Sequence, residues 1–400
     1  MDRAFVGLLV PLLLALVASP ARAATFTVTK LTDSNDGTCD ADCSLREAVV
    51  AANAAGGTND IALGAGAYQL SLAGAGEELA ATGDLDVTAG SLTIAGVDAM
   101  RTAIDAGDLD RVLDLKSGAS LSLAGLTVRN GRVTGSGGGI RSQGTLSLLE
   151  VAVEGNEATG SGFGGGISAD LGGSVTITRS TLAGNHATGG GGGAVFGLIV
   201  TLDNVTLSGN TSSTDFGGGL YLFSGADVSG NNLTITGNGA PVNTGGGVFV
   251  EGSATLRLAN SILAGNTAAT NPDCGGIGFT SEGHNLLGIN AGCAGSTIGT
   301  DQFGTTASPL AAVLSPLLAK GGSTRTHEPL AGSPATDAAS PDPVGMAGAC
   351  LAEDQRNVTR PGDGNADGTA RCDIGAHETL LVFADGFEGG TTGGWTLTVP

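Results

Sequence analysis

The stretch GNHATGGGGGAV, residues 184–195, sets five glycines in a row behind an asparagine and a histidine. It reads as a flexible linker, a phosphate-cradling loop, a metal site, or one unit of a repeat. Sliding it along the chain decides between them. LSLAGLTVRNGRVTGSGGGI is followed by LSLLEVAVEGNEATGSGFGGGI, VTITRSTLAGNHATGGGGGAV, VTLDNVTLSGNTSSTDFGGGL, VSGNNLTITGNGAPVNTGGGV and LRLANSILAGN. The asparagine recurs as Asn130, Asn156, Asn185, Asn210, Asn238 and Asn266, and glycine triplets begin at 137, 164, 191, 217 and 245, a period of about 27 residues.

Within each copy apolar residues alternate over short runs, as in Leu121, Leu123, then Leu126 and Val128, or Val200, Leu202, then Val205 and Leu207. Alternation means strands with one buried face, and the break between runs means a bend onto a second face. A third short strand is expected after each triplet, at Ile140, Ile167, Val195, Leu220 to Leu222 and Val248 to Val250. Three strands per coil repeated every 27 residues predict an all-β fold: a right-handed, single-stranded parallel β-helix. In it the glycines serve bends or crowded backbone. A phosphate loop would need Lys and Ser or Thr at a helix start, whereas a strand follows here. The repeated asparagines are expected to point inward and bond to one another as a structural ladder. His186 has no counterpart in other copies and is expected on an exposed turn.

Composition allows a packed core. Glycine and proline, 71 and 12 of 400 residues, stay below the level of aperiodic low complexity, and 41% hydrophobic against 14% charged residues is not a disordered composition. A net charge of −21 argues against nucleic acid and anionic membrane as partners. Arg3, the apolar run FVGLLVPLLLALVA and the small residues Ala21 to Ala23 read as a signal peptide over 1–23, and no later stretch is long and apolar enough to span a membrane. Export makes disulfides the expected state of the six cysteines. Fifteen connectivities are open, and nearest-neighbour pairing is the expectation: Cys39 with Cys43, Cys274 with Cys293, Cys350 with Cys372. Zinc would want CxxC-type pairs with nearby histidines, which the chain lacks.

The ends differ from the middle. Residues 24–60 are expected to form an N-terminal cap: Ser44 and Glu47 make a capping box, Leu45, Ala48, Val49 and Ala52 share one helix face, and Gly56-Gly57 end the helix. The β-helix is expected over 61–270, irregular terminal coils with disulfides over 271–380, and a C-terminal tail over 381–400. DGNADG spaces Asp363, Asn365 and Asp367 as in the first half of a calcium loop, but Ile374 stands where a closing Glu would be, so calcium is a candidate cofactor only in part.

CSLREAVVAAN at 43–53 resembles the signature of CSLREA-domain exported bacterial proteins. DQRNVTRPGDGNADGTARCDIGAHE at 354–378 resembles the close of surface β-helix proteins with a choice-of-anchor domain, with Asn357 and His377 departing from the pattern. The repeats are also similar to those of polymorphic outer-membrane proteins, which act as adhesins. The resemblance implies an exported or surface protein without an assigned reaction. Other right-handed β-helices are polysaccharide lyases and glycoside hydrolases, but the acids between 120 and 270 are thinly spread and share no phase; Asp170, Asp215 and Arg141 are the one set that could meet on a face. The expectation is therefore a secreted or cell-surface β-helix with a structural, adhesive or glycan-binding role. Its partner would be an extracellular glycan or a host or matrix surface. A polysaccharide lyase or glycoside hydrolase is the alternative. Phe163, Phe216, Tyr221, Phe223 and Phe249, clustered near the glycine bends, are the candidate binding residues.

Overall fold

The computed structural model describes residues 23–169, 172–296 and 298–380. Residues 1–22 of the expected signal peptide, Asp170 and the tail from 381 with Trp395 lie outside the described residues.

Strands stack into three sheets of 16, 10 and 6 strands, paired in parallel from coil to coil. One coil shows the logic. Thr145–Leu149 lies in the first sheet, Ala152–Glu154 in the second and Glu157–Thr159 in the third; Ile167–Ala169 then returns the chain to the first. Leu146, Leu148, Val153 and Ile167 point inward and are fully buried, or within 1% of it, and Leu146 and Leu148 sit over Val175 and Ile177 of the next coil. A column of like apolar side chains therefore forms wherever the alternating phase is kept.

The third strand of each coil is not where alternation placed it. The run after each glycine triplet rejoins the first sheet, and the third sheet lies between asparagine and triplet, at Arg132–Thr134, Glu157–Thr159, His186–Ala187, Thr211–Ser212, Gly239–Thr244 and Thr267–Thr270. These strands are short and bury small residues such as Ala158, Ala187 and Ala240, so no apolar alternation announces them. His186 is accordingly on a strand, half-buried, with Nε2 2.6 Å from Ser213 Oγ, and not on an exposed turn.

The glycine bends also shift in phase. Gly164 and Gly192 occupy equivalent left-handed positions, at φ +66° and +75°, so the working triplet in the five-glycine run is Gly192, Gly193 and Ala194 and does not begin at Gly191. The second position needs glycine because a Cβ on Gly165 would sit 2.4 Å from the His186 backbone; the third is alanine in this coil alone, a Cβ on its counterpart Gly166 lying 2.7 Å from the Ala194 carbonyl.

At the corner between the second and third sheets runs a buried ladder. Asn156 Nδ2 donates to Asn185 Oδ1, Asn185 Nδ2 to Asn210, Asn210 Nδ2 to Asn238, Asn238 Nδ2 to Asn266, and Asn266 Nδ2 to Asp273 Oδ1, each at 2.9 Å. Burial pushes the Asp273 carboxyl up while bonds from Asn266 and Ile289 pull it down. Asn130 is not part of this column. Pairing aligns Gly131 with Asn156, so the order Asn-Gly there inverts the Gly-Asn of the other copies. Asn130 takes the left-handed bend at φ +54° and donates instead to Asp105 at 2.9 Å.

At the N-terminal end the helix Leu45–Ala55 carries the Ser44–Glu47 capping box and buries Leu45, Ala48, Val49 and Ala52 against the first coils. Cys39–Cys43, Cys274–Cys293 and Cys350–Cys372 are bonded.

The C-terminal third departs from terminal coils. Coiling continues through Cys274–Gly283, Leu286–Leu287 and Gln302–Phe303, after which the chain turns back and straps the outer face of the second sheet. Thr181 Oγ1 donates to Arg325 O, Thr206 Oγ1 to Gln355 Oε1, and Ala376 N to Thr234 Oγ1. Ile262, Ala264 and Leu286 of the coils form a separate apolar cluster with Ala335, Ala339, Cys350, Cys372 and Ile374 of the strap. No helix among the described residues is long and apolar enough to cross a membrane.

Candidate functional site: the outer face of the first sheet

Strand pairing sets Asp86, Asp114, Arg141, Ser168, Phe196, Tyr221, Phe249 and Gly275 above one another. Their strand neighbours Leu85, Val87, Leu113, Leu115, Ile140 and Val195 are buried inward, so the column points outward. Its N-terminal half is charged and its C-terminal half aromatic.

The aromatic half gathers all five rings expected from sequence and adds Phe196. Phe196 lies 4.7 Å from Phe163, 5.4 Å from Tyr221 and 6.2 Å from Phe223, while Phe216 stacks on Phe249 at 4.1 Å. Phe196 follows the apolar residue after the glycines in the one copy with five of them, as Tyr221 and Phe249 do in theirs, but it lies 25 residues before Tyr221, so a strict 27-residue step misses it. The extra glycines make room: a Cβ on Gly191 would come within 2.1 Å of the Tyr221 ring. Tyr221 itself is buried, donates to Glu251 Oε2 at 2.7 Å, and has its hydroxyl pKa raised by burial and by Glu251. Phe223 is 44% exposed and, with Phe163, Phe196, Ala169, Leu198, Ser136 and Gln143, lines an open cleft of about 520 Å³.

The carboxylates of the charged half were not visible in residues 120–270 because they lie before them. Asp84, Asp110, Arg111, Asp114 and Arg141 line a second cleft of about 380 Å³ together with Glu77, Glu78 and Arg132. Arg111 Nη1 reaches Asp84 at 2.7 Å and Asp114 at 3.3 Å, and Arg141 grips Asp114 through Nε at 3.0 Å and Nη2 at 2.6 Å. Burial pushes the Asp84 carboxyl up to about 7, against the pull of Arg111, and pushes Asp86 up as well. The signal was present in the sequence: the outward positions 86, 114 and 141 keep the repeat spacing.

The N-terminal motif holds this cleft in place. Arg46, fully buried and paired to Asp33 at 2.8 Å, donates to the carbonyls of Ala80, Gly83 and Asp84, fixing the loop that carries Asp84.

Glu78, Asp86 and Asp114 bring carboxylate oxygens within 4.8 Å of one another, a spacing that suits a cation. The Lys116 ammonium stands among them, 2.8 Å from both Asp86 and Asp114 and in contact with Glu78. Burial opposes its charge, but the three carboxylates outweigh burial and raise its pKa. Residues Asp363, Asn365 and Asp367 lie elsewhere, on the strap, where their oxygens accept N–H groups of their own turn: Asp363 from Asp367 and Gly368, Asn365 from Asp367, Asp367 from Thr369. Calcium there would have to share oxygens already engaged. Asp215 does not join Arg141: it lies beside Tyr221 and Glu251, its carboxyl pushed up by burial.

Residues 115–290 match the family model of the right-handed β-helix region. The fold of this chain is thus an all-β, right-handed parallel β-helix, with the matched segment covering the regular coils. Among solved structures, the crystal structure of pectate lyase Pel9A is similar at 14% identity with a TM-score of 0.42, over 89% of this chain and 96% of that one. No curated protein matches the sequence. In this β-helix the tail motif 354–378 is a docking element. Gln355 bonds to Thr181, Thr206 and Thr324, Arg360 pairs with Glu378, and His377 is buried against Thr326, its pKa held down to about 3 by burial and by Arg356.

Proposed function

We propose that this chain is an exported β-helix, displayed or secreted outside the cell, that binds glycan along the outer face of its first sheet. The observation that carries the reading is the run of outward rings on successive coils, Phe196, Tyr221 and Phe249, flanked by the exposed Phe223 at the mouth of an open cleft. Aromatic faces suit the apolar faces of sugar rings, and rings repeated at the coil step suit a polymer lying along the axis. The strap covers the second sheet and leaves this face clear. Export is supported by the apolar leader and the three disulfides.

The test is retardation of the full chain in gels containing neutral and charged polysaccharides. The double substitution Phe196→Ala and Phe223→Ala is expected to weaken retention by about tenfold or more while leaving the melting temperature within a few degrees, because the rings lie outside the coil interior. Equal retention of both chains would remove the aromatic face from the reading.

A second reading, a polysaccharide lyase or glycoside hydrolase, is favoured by one observation: a carboxyl held near neutrality, Asp84 at about 7, beside Arg111 in the adjoining cleft. Such a group is suited to proton transfer at neutral pH. Release of unsaturated uronate from pectin or alginate by the wild-type chain, lost in Asp84→Asn, would put this reading first.

A further inference from the structure

The charged cleft carries an imbalance that bears on which glycan the face takes. Six carboxylates, those of Glu77, Glu78, Asp84, Asp86, Asp110 and Asp114, meet four cations, Arg111, Lys116, Arg132 and Arg141. The cations are engaged, Arg132 with Glu157 of the next coil at 3.2 Å. Arg111 gives Nε to Gly137 O, Nη2 to Ser136 O and Nη1 to Asp84 and Asp114; Lys116 is enclosed by Glu78, Asp86 and Asp114; Arg141 grips Asp114 with two nitrogens.

Asp110 stands apart from this network. It is 6% exposed and lines the cleft, its Oδ1 accepts the Arg111 N–H at 2.8 Å, and its Oδ2 has no hydrogen-bond partner. A buried carboxylate oxygen left without a donor is costly, and a ligand that brings a donor relieves it. A ligand carboxylate would instead meet surplus negative charge in a partly desolvated cleft, on a chain of net charge −21.

The two clefts also adjoin. Thr134 and Arg141 line the charged one and Ser136 and Gln143 the aromatic one, all within a single turn and strand of one coil. From Asp114 to Phe196 is three coil steps, about 14 Å at the inter-strand spacing, so one ligand reaching both must be an oligomer.

We propose that the groove takes a cationic glycan, a polymer of amino sugars, with an ammonium group at Asp110 and the following rings laid on Phe196 and Phe223. This rests on the glycan-binding reading above and sharpens it. It also points away from polyuronates, the substrates of the assay that tests the alternative.

Titration calorimetry on the full chain, in calcium-free buffer with chelator, separates the outcomes. The probes are a glucosamine hexasaccharide, its N-acetylated counterpart and an oligogalacturonate. The glucosamine oligomer is expected to bind about tenfold more tightly than the acetylated one, the preference shrinking as salt is raised, and the oligogalacturonate is expected not to bind. Asp110→Asn is expected to remove the preference and keep the affinity for the acetylated oligomer. If that variant does not fold, the salt dependence of the wild-type preference decides alone. Acetylated binding with no gain for glucosamine, tight binding of oligogalacturonate, or binding that appears only with added calcium overturns the proposal and leaves the glycan reading standing. Binding of none of the three takes the glycan reading down with it.

Discussion

Arg360→Ala is expected to release the C-terminal strap from the coils at a cost of about 3–5 kcal/mol, the range for breaking a buried ion pair from one side. Arg360 and Glu378 side chains are both fully buried and lie 3.2 Å apart. The guanidinium also donates to Asp373 O and Gly375 O at 2.9 Å and to Asn204 Oδ1 at 3.3 Å, so one residue joins two stretches of the strap, its own and 373–378, to the corner of a coil. Alanine leaves those acceptors without their donor and Glu378 without its counter-charge. Urea unfolding followed by limited proteolysis reads the effect: cleavage within 311–380 at denaturant concentrations where the coils stay protected. A midpoint equal to wild type would mean that the pair does not hold the strap.

The same contacts give docking a pH dependence with two opposing parts. Burial holds His377 down to about 3 and lowers His327, so both must charge on release, and docking weakens as pH falls below the ordinary histidine value of 6.5. Burial raises Glu378 to about 7 from 4.5; the docked state therefore takes up a proton first, which strengthens docking between those values. One carboxyl offsets one of the two histidines, so docking weakens only gradually from 6.5 down to 4.5; below that Glu378 adds nothing more, and the raised Asp373 carboxyl opposes the two histidines only in part. Strap cleavage by an acid-tolerant protease is expected to rise gradually between about pH 6.5 and 4.5 and more steeply below. A steep rise already at pH 6 would mean that Glu378 contributes nothing.

The coils were legible because a buried column demands the same residue class at the same phase: Leu146, Val175, Val200 and Val228 can be found by counting alone. The third sheet was not, because Ala158 and Ala187 fill its interior positions and a two-residue strand leaves no alternation to detect. The aromatic half of the site was legible as a cluster but incomplete, since Phe196 falls in the copy whose extra glycines disturb the count. The charged half was missed for a different reason. Its residues, from Glu78 to Arg141, belong to coils whose loops vary in length, and only the register Asp86, Asp114, Arg141 betrays their common face. The strap had no period to read: its contacts, such as Gln355 on Thr181 and Thr206, join positions about 150 to 175 residues apart.

Asn210→Ala is expected to cost about 3–5 kcal/mol, and the size follows from how the ladder is wired. Asn210 Oδ1 accepts both Asn185 Nδ2 at 2.9 Å and Asn185 N at 3.0 Å, and Asn210 Nδ2 donates to Asn238 Oδ1 and Leu182 O, each at 2.9 Å. Asn210 is fully buried, so truncation strands two donors of Asn185 where water does not reach, each worth about 1–3 kcal/mol, and opens a cavity besides. Asn210→Asp keeps the acceptor but loses the donor and turns a carboxylate oxygen towards Asn238 Oδ1. That variant is expected to be weaker than alanine at neutral pH and to recover as pH falls, since protonation restores a donor and the buried acid takes its proton above the unfolded value. Asn130→Gly supplies the internal control. Asn130 stands off the ladder at a left-handed position where the equivalent residues Gly155 and Gly184 have φ of +63° and +62°, so the change relieves the backbone and gives up one bond, that to Asp105, and is expected to cost about 1 kcal/mol. Thermal unfolding of the three variants side by side is the measurement. If Asn210→Ala melts with Asn130→Gly, the asparagine column is an accompaniment of the coil and not one of the interactions that hold it.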